Sequence, residues 1–359
     1  MSTRADGEGL EGIVAAKTVL SHSDGEQGIV WVRGHTIDDL VARHGYEGTV
    51  AALWDGFAGT GLTRETMAHQ LGAARALAFA RRDDWLPVAA KHPPIEGRRM
   101  ALAALPDAST PAEILATLPV ATAALLRVRD GKAPIKPDPS LSTAADVLRM
   151  VNGAAVEERF ATALDSYITA VIDNGLGTST FAARVIISTR ASLAAAVVGA
   201  YGAFTGPLHG GAPGLALDML DEIAASGDVD QWLDRTLASG GRLMGFGHRV
   251  FRIRDPRADL LRAALQRLDP GNKRLEFAKE VERRAVAALQ RRKPGRRLEA
   301  NIEMDAALLL DAIGLPREAF TPVFAIARAV AWIAHALEQQ RNGRMIRPSS
   351  TYVGPAPTA

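Results

Sequence analysis

Between Thr178 and Phe204 the chain reads TSTFAARVIISTRASLAAAVVGAYGAF, apolar on nearly every side of a helical wheel. A helix at a protein surface carries one apolar stripe, so one without a polar face has to be enclosed by other helices. The chain supplies candidates for that enclosure. The segments 142–153, 214–227, 258–268, 275–292 and 320–340 each repeat apolar residues at helical spacing. STAADVLRMVNG (142–153) opens on a hydroxyl cap and closes on glycine. Only GIVWVRG (28–34) alternates as a strand or hairpin arm does. No repeat of solenoid period is present, and the expected fold class is mostly α.

Length and composition set bounds on this picture. The chain has 359 residues, room for one large domain and a smaller one, and 47% of it is apolar. It has no cysteine, which excludes a disulfide framework, a thiol nucleophile and Cys-ligated zinc, and fits a reducing cytoplasm. A net charge of +2 does not point to nucleic acid. The densest basic run, RRKPGRR (291–297), reads as a solvated loop around Pro294-Gly295, or as a landing site for a phosphorylated ligand. The longest uncharged run, Ala191–Leu217, is interrupted by Gly206-Pro207 and contains His209, so it does not read as a membrane span. The polar opening MSTRADGEGLEG does not read as a secretory signal.

A boundary is expected near HGGAPG (209–214), where apolar helix gives way to polar, basic helices that run to about residue 300. We expect a large domain over 1–211 and 309–359, with a smaller helical domain over 212–308 and a cleft between them.

Two histidines stand out from the eight. His209 in GPLHGGAPG and His248 in GFGHRV both sit among glycines, which let a ligand approach the backbone. Either alone is accounted for by a tight turn. His209 precedes a predicted helix whose positive end opposes a protonated ring, leaving a neutral imidazole with one donor. Arg249, Arg252, Arg254 and Arg257 follow His248, a density suited to carboxylates or phosphates. His22, His35, His44, His69 and His92 show no partner in the sequence, and His335, on an apolar helix, reads as a satisfied core histidine. In NIEMDAALLLDAIGLP, Asn301 reads as an N-cap, placing Glu303 and Asp305 in the first turn. Two positions apart on a helix they point roughly 200° from one another and cannot share one site. Acidic residues there also serve simply to complement the helix dipole.

GPLHGGAPG, MGFGHRVFRIRDPRA, NIE, FTPVFAIARAVAWIAHALEQ and RMIRPSSTYVGP, in that order, resemble the citrate synthase family, in particular its short bacterial citrate and 2-methylcitrate synthases. The segments around 10–40 and 178–211 resemble it as well, so the likeness spans nearly the whole chain. It implies a two-domain, mostly helical homodimer that closes on its substrates. The implied reaction condenses an acyl-CoA, usually acetyl-CoA, with an oxo acid, usually oxaloacetate, and then hydrolyses the thioester. A CoA thioester is thus a co-substrate, and no permanently bound cofactor or metal is implied.

The resemblance also implies roles. His209 would face the thioester carbonyl, His248 the substrate ketone, and Glu303 would be the base. Arg257, Arg328 and Arg347 would hold the oxo-acid carboxylates, with Arg347 crossing to the partner subunit. Backbone at Arg242, Leu243 and Gly245 would meet the adenine, and Arg252 a phosphate. Such chemistry needs a carboxylate to remove a weakly acidic proton while a donor stabilises the enolate. Two positions depart from the family pattern. Glu303 stands where an aspartate is usual, an overreach of about 1.5 Å. Asn174 stands where a histidine usually contacts oxaloacetate; it can donate a hydrogen bond but carries no charge. A lowered affinity for oxaloacetate, or a preference for another oxo acid, is expected from it.

Overall fold

The computed structural model describes residue 10 and residues 13–206, 209–210, 212–247, 255–292 and 298–355. About 64% of the chain is helical. A small antiparallel sheet comes first: β1 (Ser21–Asp24), β2 (Ile29–Val32) and β3 (His35–Thr36). The expected strand at 28–34 is its middle member. Fourteen longer helices follow among the described residues. They are α1 (Gly45–Trp54), α2 (Arg64–Ala80), α3 (Pro94–Ala103), α4 (Pro111–Arg129), α5 (Thr143–Asn152), α6 (Glu158–Ala170) and α7 (Thr178–Ser188). Then come α8 (Leu193–Phe204), α9 (Ala212–Ser226), α10 (Val229–Ala238), α11 (Pro256–Leu268), α12 (Lys273–Arg292), α13 (Ile302–Ala312) and α14 (Phe320–Asn342).

The all-apolar segment is two helices, α7 and α8. Arg190 between them adopts φ 68°, and the Ser192 hydroxyl caps α8 by accepting from the Ala195 N–H. The two helices pack on each other so closely that a methyl group at Gly199 would overlap Ile186. Both pack on α14, whose Val330, Trp332 and Ile333 are fully buried. α4 and the segment Arg317–Asn342 are long and apolar enough to cross a bilayer, but most of each is covered by neighbouring helices. Their composition is that of core helices.

Caps fall where the sequence placed them. Ser142 caps α5, which ends at Gly153 with φ 89°. Asn301 caps α13 by accepting from the Glu303 N–H at 2.9 Å.

Candidate active site

A cleft of about 1170 Å³ is lined by residues from at least eight parts of the chain. β1 supplies Ser21, His22 and Ser23, and the end of α6 supplies Tyr167. Asn174 lies on the loop before α7, and His209 on the turn after α8. Arg242, Leu243 and Gly247 come from the 240–247 loop, Arg257 from α11, Glu303 from α13 and Arg328 from α14.

The 240–247 loop is zipped onto the start of α13. Phe246 bridges Ala300, the Gly247 N–H donates to the Glu299 carbonyl at 2.8 Å, and the Asn301 N–H donates to the Gly245 carbonyl at 2.9 Å. The Asn301 side chain, while capping α13, donates from Nδ2 to the Gly247 carbonyl at 3.0 Å. Gly245 and Gly247 adopt φ 81° and 80°, a region that side chains disfavour. The glycines of GFG are therefore required by backbone conformation, and they bring the loop against Glu303.

His209 is half-buried, and its Nε2 lies 2.9 Å from the Ser179 Oγ. The Trp332 indole N–H, which can only donate, points at the same Oγ at 3.1 Å. The Ser179 Oγ keeps a proton that it can give to Nε2, an arrangement that suits a ring protonated on Nδ1. Burial, followed by the Arg328 charge, lowers the His209 pKa to about 4. The expected neutral imidazole is present, but desolvation is its main cause rather than the helix dipole.

Glu303 is partly buried, and that burial raises its pKa above the ordinary value; hydrogen bonds from Asn301 and Gly245 and the Arg242 charge oppose the rise. Asp305 points elsewhere: it is buried and holds the Arg262 guanidinium at 2.8 and 3.1 Å. Of the two acids in the first turn, only Glu303 reaches the cleft.

The guanidinium groups differ in their pairing. Arg257 is bidentate with Asp255, at 2.9 and 2.7 Å. Arg328 is 7% exposed, lies 5.0 Å from the Phe324 ring centre, has no hydrogen-bond partner at Nε and forms no ion pair among the described residues. Burial, then repulsion from Arg257, lowers its pKa to about 10. A charge buried without an ion pair carries a desolvation cost. Tyr167, whose hydroxyl burial drives upward in pKa, lies among Arg328, Arg257 and Glu303.

Asn174 lines the cleft with its Oδ1 accepting from the Ser23 hydroxyl at 2.9 Å. Arg347 is exposed and is not among the residues lining its own chain's cleft. Gly245 lies just behind the lining, against Met304. His248 and Arg252 lie outside the described residues. His335 is fully buried between Arg184 and Asp173, the satisfied core histidine expected. By contrast, His22, His35 and His92 have neighbours that the sequence did not disclose: Trp31, Asp39 and Glu96.

Sequence reasoning missed Ser179, Trp332, Tyr167 and Ser23. Ser179 lies inside the quoted TSTF motif, but nothing local says that its hydroxyl meets a ring thirty residues away.

Comparison with known proteins places the chain in a family. The family described as "Citrate synthase, C-terminal domain" matches residues 9–349. The citrate synthase of Acidithiobacillus ferridurans is 33% identical over 96% of this chain and 95% of its own. The citrate/2-methylcitrate synthase of Bacillus subtilis is 32% identical over 97% and 96%. The crystal structure of citrate synthase from Thermotoga maritima superposes with a TM-score of 0.86 at 31% identity, covering 99% of this chain and 98% of that one. With one cleft gathering the neutral imidazole, the acid and the buried arginines, and with this breadth of likeness, the chain belongs to the citrate synthase family.

Proposed function

We propose that this enzyme condenses acetyl-CoA with oxaloacetate and hydrolyses the resulting thioester, giving citrate and CoA. One observation carries the reading: a buried Arg328, without an ion pair among the described residues, shares a cleft with Glu303, whose pKa burial raises, and with a neutral His209.

The Glu303 carboxylate takes a proton from the acyl methyl group. The His209 Nδ1–H donates to the thioester oxygen as negative charge gathers there. The enol carbon then attacks the ketone carbon of the oxo acid, whose oxygen His248 protonates. Water finally cleaves the thioester, releasing CoA. Arg257 and Arg328 hold the oxo-acid carboxylates, and Arg347 of the partner subunit completes the pocket in a homodimer. Arg242, Leu243 and Gly245 seat the adenine through their backbone, and Arg252 meets a phosphate. Closure of the 212–308 domain keeps water from the enol until the carbon–carbon bond has formed.

Asn174 favours a second reading of the oxo-acid site. Tied to Ser23 through Oδ1, it offers neutral amide protons to a carboxylate. Weakened oxaloacetate binding, or preference for a different oxo acid, follows from that. Propionyl-CoA in place of acetyl-CoA, giving 2-methylcitrate, is the alternative suggested by the Bacillus subtilis relative.

Thiol release tests both readings. Acetyl-CoA and propionyl-CoA are each mixed with a panel of oxo acids, and products are identified by mass. Citrate from acetyl-CoA and oxaloacetate is the expected outcome. No thiol release with any pair, while CoA still binds, would leave a binding protein rather than a synthase.

A further inference from the structure

His35 and His44 have no sequence-level partner, yet the fold brings them together with Asp39. One ligand atom from each of the three lies within 4.8 Å of the others. The His35 Nδ1 is 3.2 Å from the Asp39 Oδ2, and the two imidazoles meet edge to face with centroids 4.6 Å apart.

Local backbone explains the convergence. β3 ends at Thr36, whose hydroxyl caps the short helical turn Ile37–Asp39 by accepting from the Asp39 N–H at 3.2 Å. The next turn, Leu40–His44, is wide: the Gly45 N–H reaches back five residues to the Leu40 carbonyl. In an ordinary α-helix, residues five apart point about 140° from each other. An i→i+5 turn stacks them nearly one above the other, so Asp39 and His44 share a side. Gly45, at φ 61°, then lets the chain leave this turn into α1. Arg43 occupies Asp39 Oδ1 at 3.0 Å from a largely exposed side chain, leaving Oδ2 facing His35.

We propose that His35, Asp39 and His44 form a binding site for a divalent transition ion of the zinc class, separate from the cleft. Two imidazole nitrogens and one carboxylate oxygen are the donor set such ions select over magnesium. With ligand bonds of about 2.0–2.2 Å, neighbouring donors sit roughly 3.3 Å apart, close to the His35–Asp39 spacing. Half-exposed side chains can close the remaining gap by rotation. The sheet register gives the site a connection to the cleft. His35 pairs with Val32, and Val32 pairs with Ser21, which lines the cleft wall. An ion here would pin that row of strands to the start of α1.

The test is calorimetric titration of untagged, full-length protein with zinc chloride, with magnesium chloride as the control. Saturable binding of zinc at one ion per chain, and none of magnesium, is expected. His35→Ala and Asp39→Asn should each weaken it at least about tenfold, while unfolding at the wild-type temperature without metal. Absence of saturable zinc binding, equal binding of magnesium, or wild-type affinity in either variant would overturn the proposal. Asp39→Asn keeps the side-chain volume, so a folding defect in the alanine variant leaves the test intact.

Discussion

Arg328→Met should make the ligand-free enzyme more stable and unable to hold its oxo acid. The fall in the Arg328 pKa from the ordinary arginine value to about 10 is equivalent to about 3 kcal/mol of unfavourable environment for the charged guanidinium. Stacking on Phe324 offsets roughly 1 kcal/mol of this, and methionine keeps a favourable contact with the same ring. Asp173, which also faces Arg328, retains its hydrogen bond from His335. The variant should therefore gain about 1–2 kcal/mol, a rise in Tm of roughly 1–3 °C for a chain of this length. Because the folded value lies below the unfolded one, the unfolded chain holds more protons from about pH 10 up to the ordinary arginine value. Stability of the wild type should rise with pH across that window, and its deficit against the variant should be complete at neutral pH. The assay is thermal unfolding of both proteins with and without oxaloacetate. Ligand at a hundred times its Kd should stabilise the wild type by about 2.7 kcal/mol and the variant not at all. A ligand-free variant that melts below the wild type, or one that responds to oxaloacetate equally, would refute the reasoning.

Three further outcomes are expected. Glu303→Gln should lower condensation by about 10³-fold while oxaloacetate still shifts the melting temperature. In the wild type the carboxylate is the active form, so the acid limb of kcat/KM should fall above the ordinary 4.5, with His209 staying neutral throughout; a limb below 4.5 contradicts the assignment. Ser179→Ala should lower kcat about tenfold or more with little change in oxo-acid KM, because the hydroxyl that fixes the His209 tautomer is gone. Arg75→Met, which strips one buried partner from Asp146 and leaves it paired with Arg149, should cost about 1–3 kcal/mol in urea unfolding without altering the pH–rate profile.

Local signals in the sequence were sufficient wherever one element decides the outcome. The cap at Asn301 placed Glu303 in a first turn, and the glycines around Phe246 were compatible with a tight turn, which the structure builds with positive φ at Gly245 and Gly247. The separation of Glu303 from Asp305 followed from helical geometry alone. The family pattern then named His209, Arg257 and Arg328 as cleft residues, and the fold gathers them in one place. What stayed hidden depends on meetings across long stretches of chain. Ser179 and Trp332 are separated by 153 positions, and together they form the hydrogen-bonded row that ends on the His209 ring. Ser23 reaches Asn174 over 151 positions, and Asp39 meets His44 only through a turn wider than any periodicity rule assumes.

The sequence by itself determined that this chain is a helical bundle with its apolar helices inside, because a segment without a polar face can be stable only when enclosed. It also determined which residue types stand at the turns and caps. Tertiary structure alone decided which of those residues carry an unmet charge or a set tautomer. Those properties arise from desolvation and from hydrogen bonds between distant segments, and neither exists until the helices have packed.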